Sequence, residues 1–187
     1  MTFETILGIV LAGILTENIA LLEFLGTGAV LENERSTKRS LALGLGTTVV
    51  MVLSTLISWL INEYLLASVP YLQTMAFVLV VLVVVEVLHL IAKNLLDNYC
   101  RADFVKFAIN GAVLGLCIHN THEDLVTALV KAAAIGIGFM LTMTVYAKIK
   151  DVPVDEDAIP APFRGLPIAL LTAGMIALAM MALQFKI

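Results

Sequence analysis

The chain reads as a series of long apolar stretches separated by short clusters of charge. Leu41 to Asn62, Tyr64 to Val85 and Gly165 to Phe185 contain no Asp, Glu, Lys or Arg. Each has the roughly 20 residues that an α-helix needs to cross a bilayer core at about 1.5 Å per residue. Ala132 to Ala147 is a shorter charge-free run, lengthened by the apolar residues before Lys131. Two further stretches are less regular. Thr5 to Leu31 is apolar but carries Glu17 and Glu23, and Phe107 to His122 is short and contains Asn110, Gly111 and Gly115. Six crossings are expected, at about 3–31, 40–61, 70–92, 103–119, 124–148 and 165–185. Inside lipid the backbone must satisfy its own hydrogen bonds, which makes helices the default; barrel strands would alternate in polarity and be about half as long. The run from Val78 to Val85 has high β propensity, but continuous apolar length outweighs that preference in a bilayer. The expected fold class is therefore an all-α integral membrane protein with six transmembrane helices in one domain, residues 1–187.

Composition agrees with the pattern. Of 187 residues, 60% are hydrophobic and 14% charged, where an ordinary soluble domain has about 25% charged. The net charge of −4 gives no basic excess, so nucleic acid is not an expected partner; membrane lipid is. The first segment is not expected to be a secretory signal, because no basic residue precedes Arg35 and no small-residue cleavage site follows a basic start.

The few charges set an orientation. The loops after spans one, three and five hold Arg35, Lys38, Arg39, Lys93, Arg101, Lys106, Lys148, Lys150 and Arg164, whereas the opposite side holds only Lys131 and Lys186. Basic residues concentrate on the cytoplasmic side of membrane proteins. Loops 32–40, 93–106 and 148–164 are expected to be cytoplasmic, with both termini on the outer side of the cytoplasmic (inner) membrane. The two cysteines, Cys100 and Cys117, are about 25 Å apart if the stretch between them is helical, too far to pair.

An internal repeat emerges from short recurrences. Gly28-Ala29-Val30-Leu31 returns as Gly111-Ala112-Val113-Leu114, and Gly44-Leu45-Gly46 returns as Gly136-Ile137-Gly138. The pairs fall in spans one and four, then two and five. A half with three spans ends on the opposite side of the membrane, so the second half is expected to be inverted relative to the first. The halves are about 1–93 and 103–187. In inverted-repeat transport folds, short or Gly-interrupted segments at matching positions mark the site near the midplane. Here these are spans one and four, which are expected to be broken or short around Gly26, Gly28, Asn110, Gly111 and Gly115. The alternative is that these glycines only aid helix packing.

At this point the residues resemble a known family. Glu17-Asn18-Ile19-Ala20-Leu21 followed by Phe24-Leu25-Gly26 is similar to the first-span motif of the RnfA and NqrE family, membrane subunits of the Rnf and Nqr ion-translocating electron transport complexes. Gly44-Leu45-Gly46-Thr47-Thr48 resembles its second span. The tail Val152-Pro153, Pro160-Ala161-Pro162-Phe163-Arg164-Gly165 and Ile168-Ala169-Leu170-Leu171-Thr172-Ala173-Gly174-Met175 resembles the RnfA ending, and the stretch from Pro162-Phe163-Arg164-Gly165 to Thr172-Ala173-Gly174 is the most specific part. The resemblance covers nearly the whole chain. It implies a membrane subunit of a ferredoxin:NAD-type oxidoreductase whose electron transport drives Na⁺ or H⁺ translocation. The implied partners are an oppositely oriented sister subunit (RnfE-like) and other Rnf-type subunits carrying flavin and NAD chemistry. It also implies an iron–sulfur cluster at the sister-subunit interface, to which each sister contributes two cysteines, thiolate being the natural ligand. This chain departs from the pattern there. The positions that match the two cluster cysteines are Gly28 and Gly111, and glycine has no side chain with which to ligate iron. Cys117 lies six residues beyond Gly111, about 9 Å along a helix, and is not expected to substitute. Two readings stay open: an Rnf-like subunit without these ligands, or a non-redox ion or small-solute transporter subunit built on the same scaffold.

Polar and ionisable groups at membrane depth are costly and therefore become candidates for an ion pathway or a subunit interface. These are Glu17, Asn18 and Glu23 in span one, Asn110 in span four, and Glu86 with His89 in span three. Glu86 and His89 are one helical turn apart and can share a proton or a cation. The alternative places them among the cytoplasmic headgroups beside Lys93. His119, His122, Glu123 and Asp124 are of metal-ligating type but read as an exposed polar turn, with Thr121 and the two acids suited to a helix start. No phosphate-binding loop or dinucleotide fingerprint is present, so no active site of the soluble type is expected in this chain.

Overall fold

The computed structural model describes residues 3–16, 37–66, 69–95, 110–150 and 160–184. Glu17, Asn18, Glu23, Gly26, Gly28 and Cys100 lie outside the described residues, as do most of the three charged loops.

Six α-helices make up the described structure: α1 (Phe3–Leu11), α2 (Thr37–Ile61), α3 (Gln73–Leu95), α4 (Gly111–His119), α5 (Leu125–Lys150) and α6 (Leu166–Gln184). No strand occurs among the described residues, so the valine run of 78–85 is helical, as continuous apolar length requires. Among the described residues three stretches are long and apolar enough to cross a membrane: Ser40–Leu66, Pro70–Ile91 and Leu125–Lys150; Leu166–Ala179 is a shorter apolar helix. α1 passes into a π turn, Ala12–Thr16, and α2 into another, Asn62–Leu66. The α2 end is tied to the next helix by Gln73, whose Nε2 donates to Asn62 Oδ1 at 2.9 Å. Pro160 and the short 3₁₀ turn Ala161–Phe163 lead into α6 through Gly165, whose φ of +83° is a left-handed conformation that glycine adopts without a Cβ clash.

α2 and α5 form the centre. At Gly44 an added Cβ would stand 2.6 Å from Met140 Cγ and 2.8 Å from Met140 Cα, and at Gly136 it would stand 2.6 Å from Thr48 Cγ2 and 3.0 Å from Thr48 Cα. Moving from 44 to 48 on α2 moves from 140 back to 136 on α5, so the two helices cross antiparallel. Glycine at both positions lets the backbones approach, the usual device where helices pack without a hydrophobic difference from lipid. The π turn of α1 packs on the same helix: a Cβ on Gly138 would lie 2.9 Å from the Ile14 carbonyl oxygen, and one on Gly13 would lie 2.8 Å from Ala134 Cβ.

α4 lies against α2 and α3. The core between them and α5 is built from Val50, Met51, Phe77, Val81, Val84, Ala112, Val113, Leu116, Phe139, Met143 and Tyr146. Tyr146 OH donates to the Ala169 carbonyl at 3.3 Å and links α5 to α6. The other faces stay apolar and exposed: Met75, Leu79 and Val83 on α3, and Leu171, Met175 and Leu178 on α6. In water that would be a large penalty; against acyl chains or another membrane subunit it is not.

Candidate functional site

Of the expected fourth segment, the described residues cover Asn110 and α4. Asn110 is the N-cap residue, with φ −77° and ψ 101°. Its Oδ1 accepts from Ala112 N at 3.1 Å, and its carbonyl accepts from Val113 N at 3.1 Å. An asparagine cap satisfies a helix N–H that would otherwise be orphaned. Asn110 is 3% exposed, and its Nδ2 has no hydrogen-bond partner. Gly111, half-buried, follows as the first helical residue. This corner offers N–H donors and the positive end of a helix dipole; it offers no thiolate or carboxylate.

Cys117 is buried two turns further along α4, beside Ser58 and Thr55 of α2. Among the described residues no group of three or more His, Cys, Asp and Glu side chains could hold a metal ion. Glu86 is exposed on α3, along the same apolar face as Leu79, Leu82 and Val83, and His89 is half-buried one turn on. The charge pattern is blind to one further set, Ser54, Thr55 and Ser58, which are all buried. Their crowding into five positions of a charge-free span is nonetheless a signal in the sequence.

The loop between α4 and α5 is ordered by hydrogen bonds. Trp59 Nε1 donates to the Glu123 carbonyl at 2.9 Å, and Asn120 Nδ2 donates to the Ala128 carbonyl at 3.2 Å. Thr121 does not cap α5: its hydroxyl donates back to the Cys117 and Ile118 carbonyls, closing the end of α4. Both acids precede the first turn of α5, and the Asp124 carbonyl accepts from Ala128 N at 2.8 Å. His119, His122 and Asp124 are exposed.

Lys131 Nζ lies 2.7 Å from Glu123 Oε1. The hydrogen bond from Lys131, and then its charge, hold the Glu123 carboxyl below the usual carboxylate range. A depressed carboxyl stabilises the fold at pH values above that range, and the contribution is lost as pH falls through it. Glu123 is partly exposed, so less than about 1 kcal/mol is at stake. Thermal melts at pH 7 and near pH 4 should show a small acid loss in the wild type that is absent in Lys131→Met.

The family model described as Rnf-Nqr subunit, membrane protein, matches residues 6–187. The chain belongs to this family. Among curated relatives it is 35% identical over 176 residues to the A-type subunit of the ion-translocating oxidoreductase complex of Sodalis glossinidius, covering 90% of each chain. It is 33% identical over 180 residues to the protein of the same name from Thioalkalivibrio sulfidiphilus, covering 92% of this chain and 93% of the relative. It is also 35% identical over 176 residues to that of Escherichia coli O1:K1 / APEC, covering 90% of each. The resemblance seen in the first-span and tail motifs is thus a relationship along nearly the full length, and the chain is an Rnf-type integral membrane subunit.

Proposed function

We propose that this protein works in an ion-translocating oxidoreductase complex of the Rnf type, as the partner of an oppositely oriented sister subunit. Both termini face outward, and the loops at 32–40, 93–106 and 148–164 face the cytoplasm. The observation that carries this reading is full-length similarity to subunits named for such a complex. The scaffold is read as two inverted halves. The α2–α5 crossing supports this: Gly44 meets Met140 while Gly136 meets Thr48, and exchanging the two halves (44 for 136, 48 for 140) maps each contact onto the other. Antiparallel crossing of equivalent helices is what a two-fold axis in the membrane plane requires.

The family's cluster is a poor match to this chain. Gly111 has no side chain, Asn110 presents an amide donor, and Cys117 faces Ser58 and Thr55 rather than the start of α4. No electron step is therefore routed through side chains of this chain. Electrons then take a path on other subunits, which also bear the flavin and NAD sites, while this chain contributes membrane scaffold and ion pathway. The glycines at 28 and 111 are also what a non-redox transporter subunit on the same scaffold would carry. A tagged copy purified from its native membrane separates the two. Co-purification of flavin-bearing and ferredoxin-like subunits is expected, and iron and acid-labile sulfide should be unchanged by Cys117→Ala. Purification without redox subunits would favour the transporter.

A further inference from the structure

In the described helices six threonine hydroxyls share one habit. Thr47 donates to the Leu43 carbonyl, Thr48 to Gly44, Thr121 to Cys117, Thr142 to Gly138, Thr144 to Met140 and Thr172 to Ile168. Bonding to the carbonyl four residues back is the ordinary way to hide a hydroxyl on a helix in apolar surroundings. Ser54, Thr55 and Ser58 depart from it. They are 0%, 1% and 1% exposed, yet none of their hydroxyls has a hydrogen-bond partner. Positions 54 and 58, and 55 and 58, are neighbours on one face of α2. That face meets α4 at Cys117, itself 2% exposed and adjacent to Ser58 and Thr55. A thiol is only a weak donor and a weak acceptor, so what Ser58 and Thr55 exchange with it is weak and leaves most of their hydrogen-bonding capacity unused, while Ser54 has no partner at all.

Three neighbouring orphaned hydroxyls are not what a close-packed apolar interface contains, since buried polar groups nearly always find a partner. Freed from its own helix, each hydroxyl offers one donor and two acceptor positions. A polar cluster with two to four such partners is the setting in which water is retained inside a protein. The cluster holds no acid, so a cation in it would lack a counter-charge, and a neutral ligand matches it better.

We propose that ordered water occupies the Ser54–Thr55–Ser58–Cys117 cluster between α2 and α4. The site lies just below the outer cap, where Trp59 binds the Glu123 carbonyl. From Cys117 it is about 9 Å along α4 to Gly111, next to the unpartnered Asn110 amide. The water thus stands between the outer surface and the start of the short helix, and gives a polar species a foothold in an otherwise apolar half of the membrane. This inference rests on hydroxyl geometry and does not depend on the redox reading.

Cys117 is a built-in reporter. In the native membrane complex, the infrared difference between wild type and Cys117→Ala isolates its S–H stretch. Transfer to deuterated buffer should convert that band to S–D within minutes, and in Thr55→Val/Ser58→Ala the conversion should slow by roughly tenfold or more as the thiol loses its water, in line with the dependence of thiol chemistry on access. An S–H band that persists for hours in the folded wild-type complex would overturn the proposal. So would a rise in melting temperature on removing the hydroxyls, the response of a dry site relieved of orphaned groups.

Discussion

Gly44→Ala is expected to lower the melting temperature of the purified protein or its complex, by roughly 3–6 °C on the scale that relates stability to melting for chains of this size. Two effects oppose one another. Alanine gains up to about 1 kcal/mol over glycine in helix propensity. Against this, the new methyl would stand 2.8 Å from Met140 Cα, and a backbone atom cannot rotate out of the way. Overpacking of this kind costs about 1–3 kcal/mol, and more where the helix axis itself must shift. The clash should win. Gly136→Ala should behave similarly, with one difference that tests the geometry. Its closest neighbour is the Thr48 methyl at 2.6 Å, so Thr48→Ser should recover part of the loss while keeping the hydroxyl that bonds to the Gly44 carbonyl. Gly174→Ala is the control, because nothing lies within 4 Å of its added Cβ. It should be neutral or slightly stabilising. Equal melting curves for all three alanine variants would contradict the close α2–α5 crossing.

Glu17→Gln is expected to slow ion-coupled turnover by about tenfold or more while the complex still assembles, because an ionisable group retained in a membrane span is costly unless it serves the pathway. The glutamine keeps size and hydrogen-bonding capacity and removes only the charge. Ion uptake by inverted vesicles, normalised to the amount of this protein, reads the effect. Unchanged coupled uptake would remove Glu17 from the pathway; loss of the complex from the membrane would give it an inter-subunit role instead.

Much of the fold was legible because a bilayer is an undemanding reader. It requires length and apolarity, and charge-free runs such as Leu41–Asn62 and Tyr64–Val85 state both directly. The helix ends were less legible. α2 begins at Thr37 and α3 continues to Leu95, beyond the apolar limits, because a helix can run on through polar residues past the charge-free stretch that marks it in the sequence. Thr121 shows the same limit at a residue: next to two acids it reads as the start of α5, but its hydroxyl closes α4. Whether a hydroxyl donates back or caps forward is decided by whether a carbonyl behind it or an N–H ahead of it lies nearer in space.

The candidate site divides in the same way. That Gly111 cannot ligate iron follows from the residue itself. That Asn110 is buried with a free amide, and that Cys117 looks toward Ser58 and Thr55, depends on how α4 lies against α2. By itself the sequence determined membrane residence, the number of apolar segments and the family, since each depends on local composition or on motifs read in order. Only the tertiary structure decided the antiparallel glycine crossing of α2 and α5 and the cluster of three unsatisfied hydroxyls. Both depend on distances between residues far apart in the chain, and a side chain's hydrogen-bonding state is a property of its neighbours.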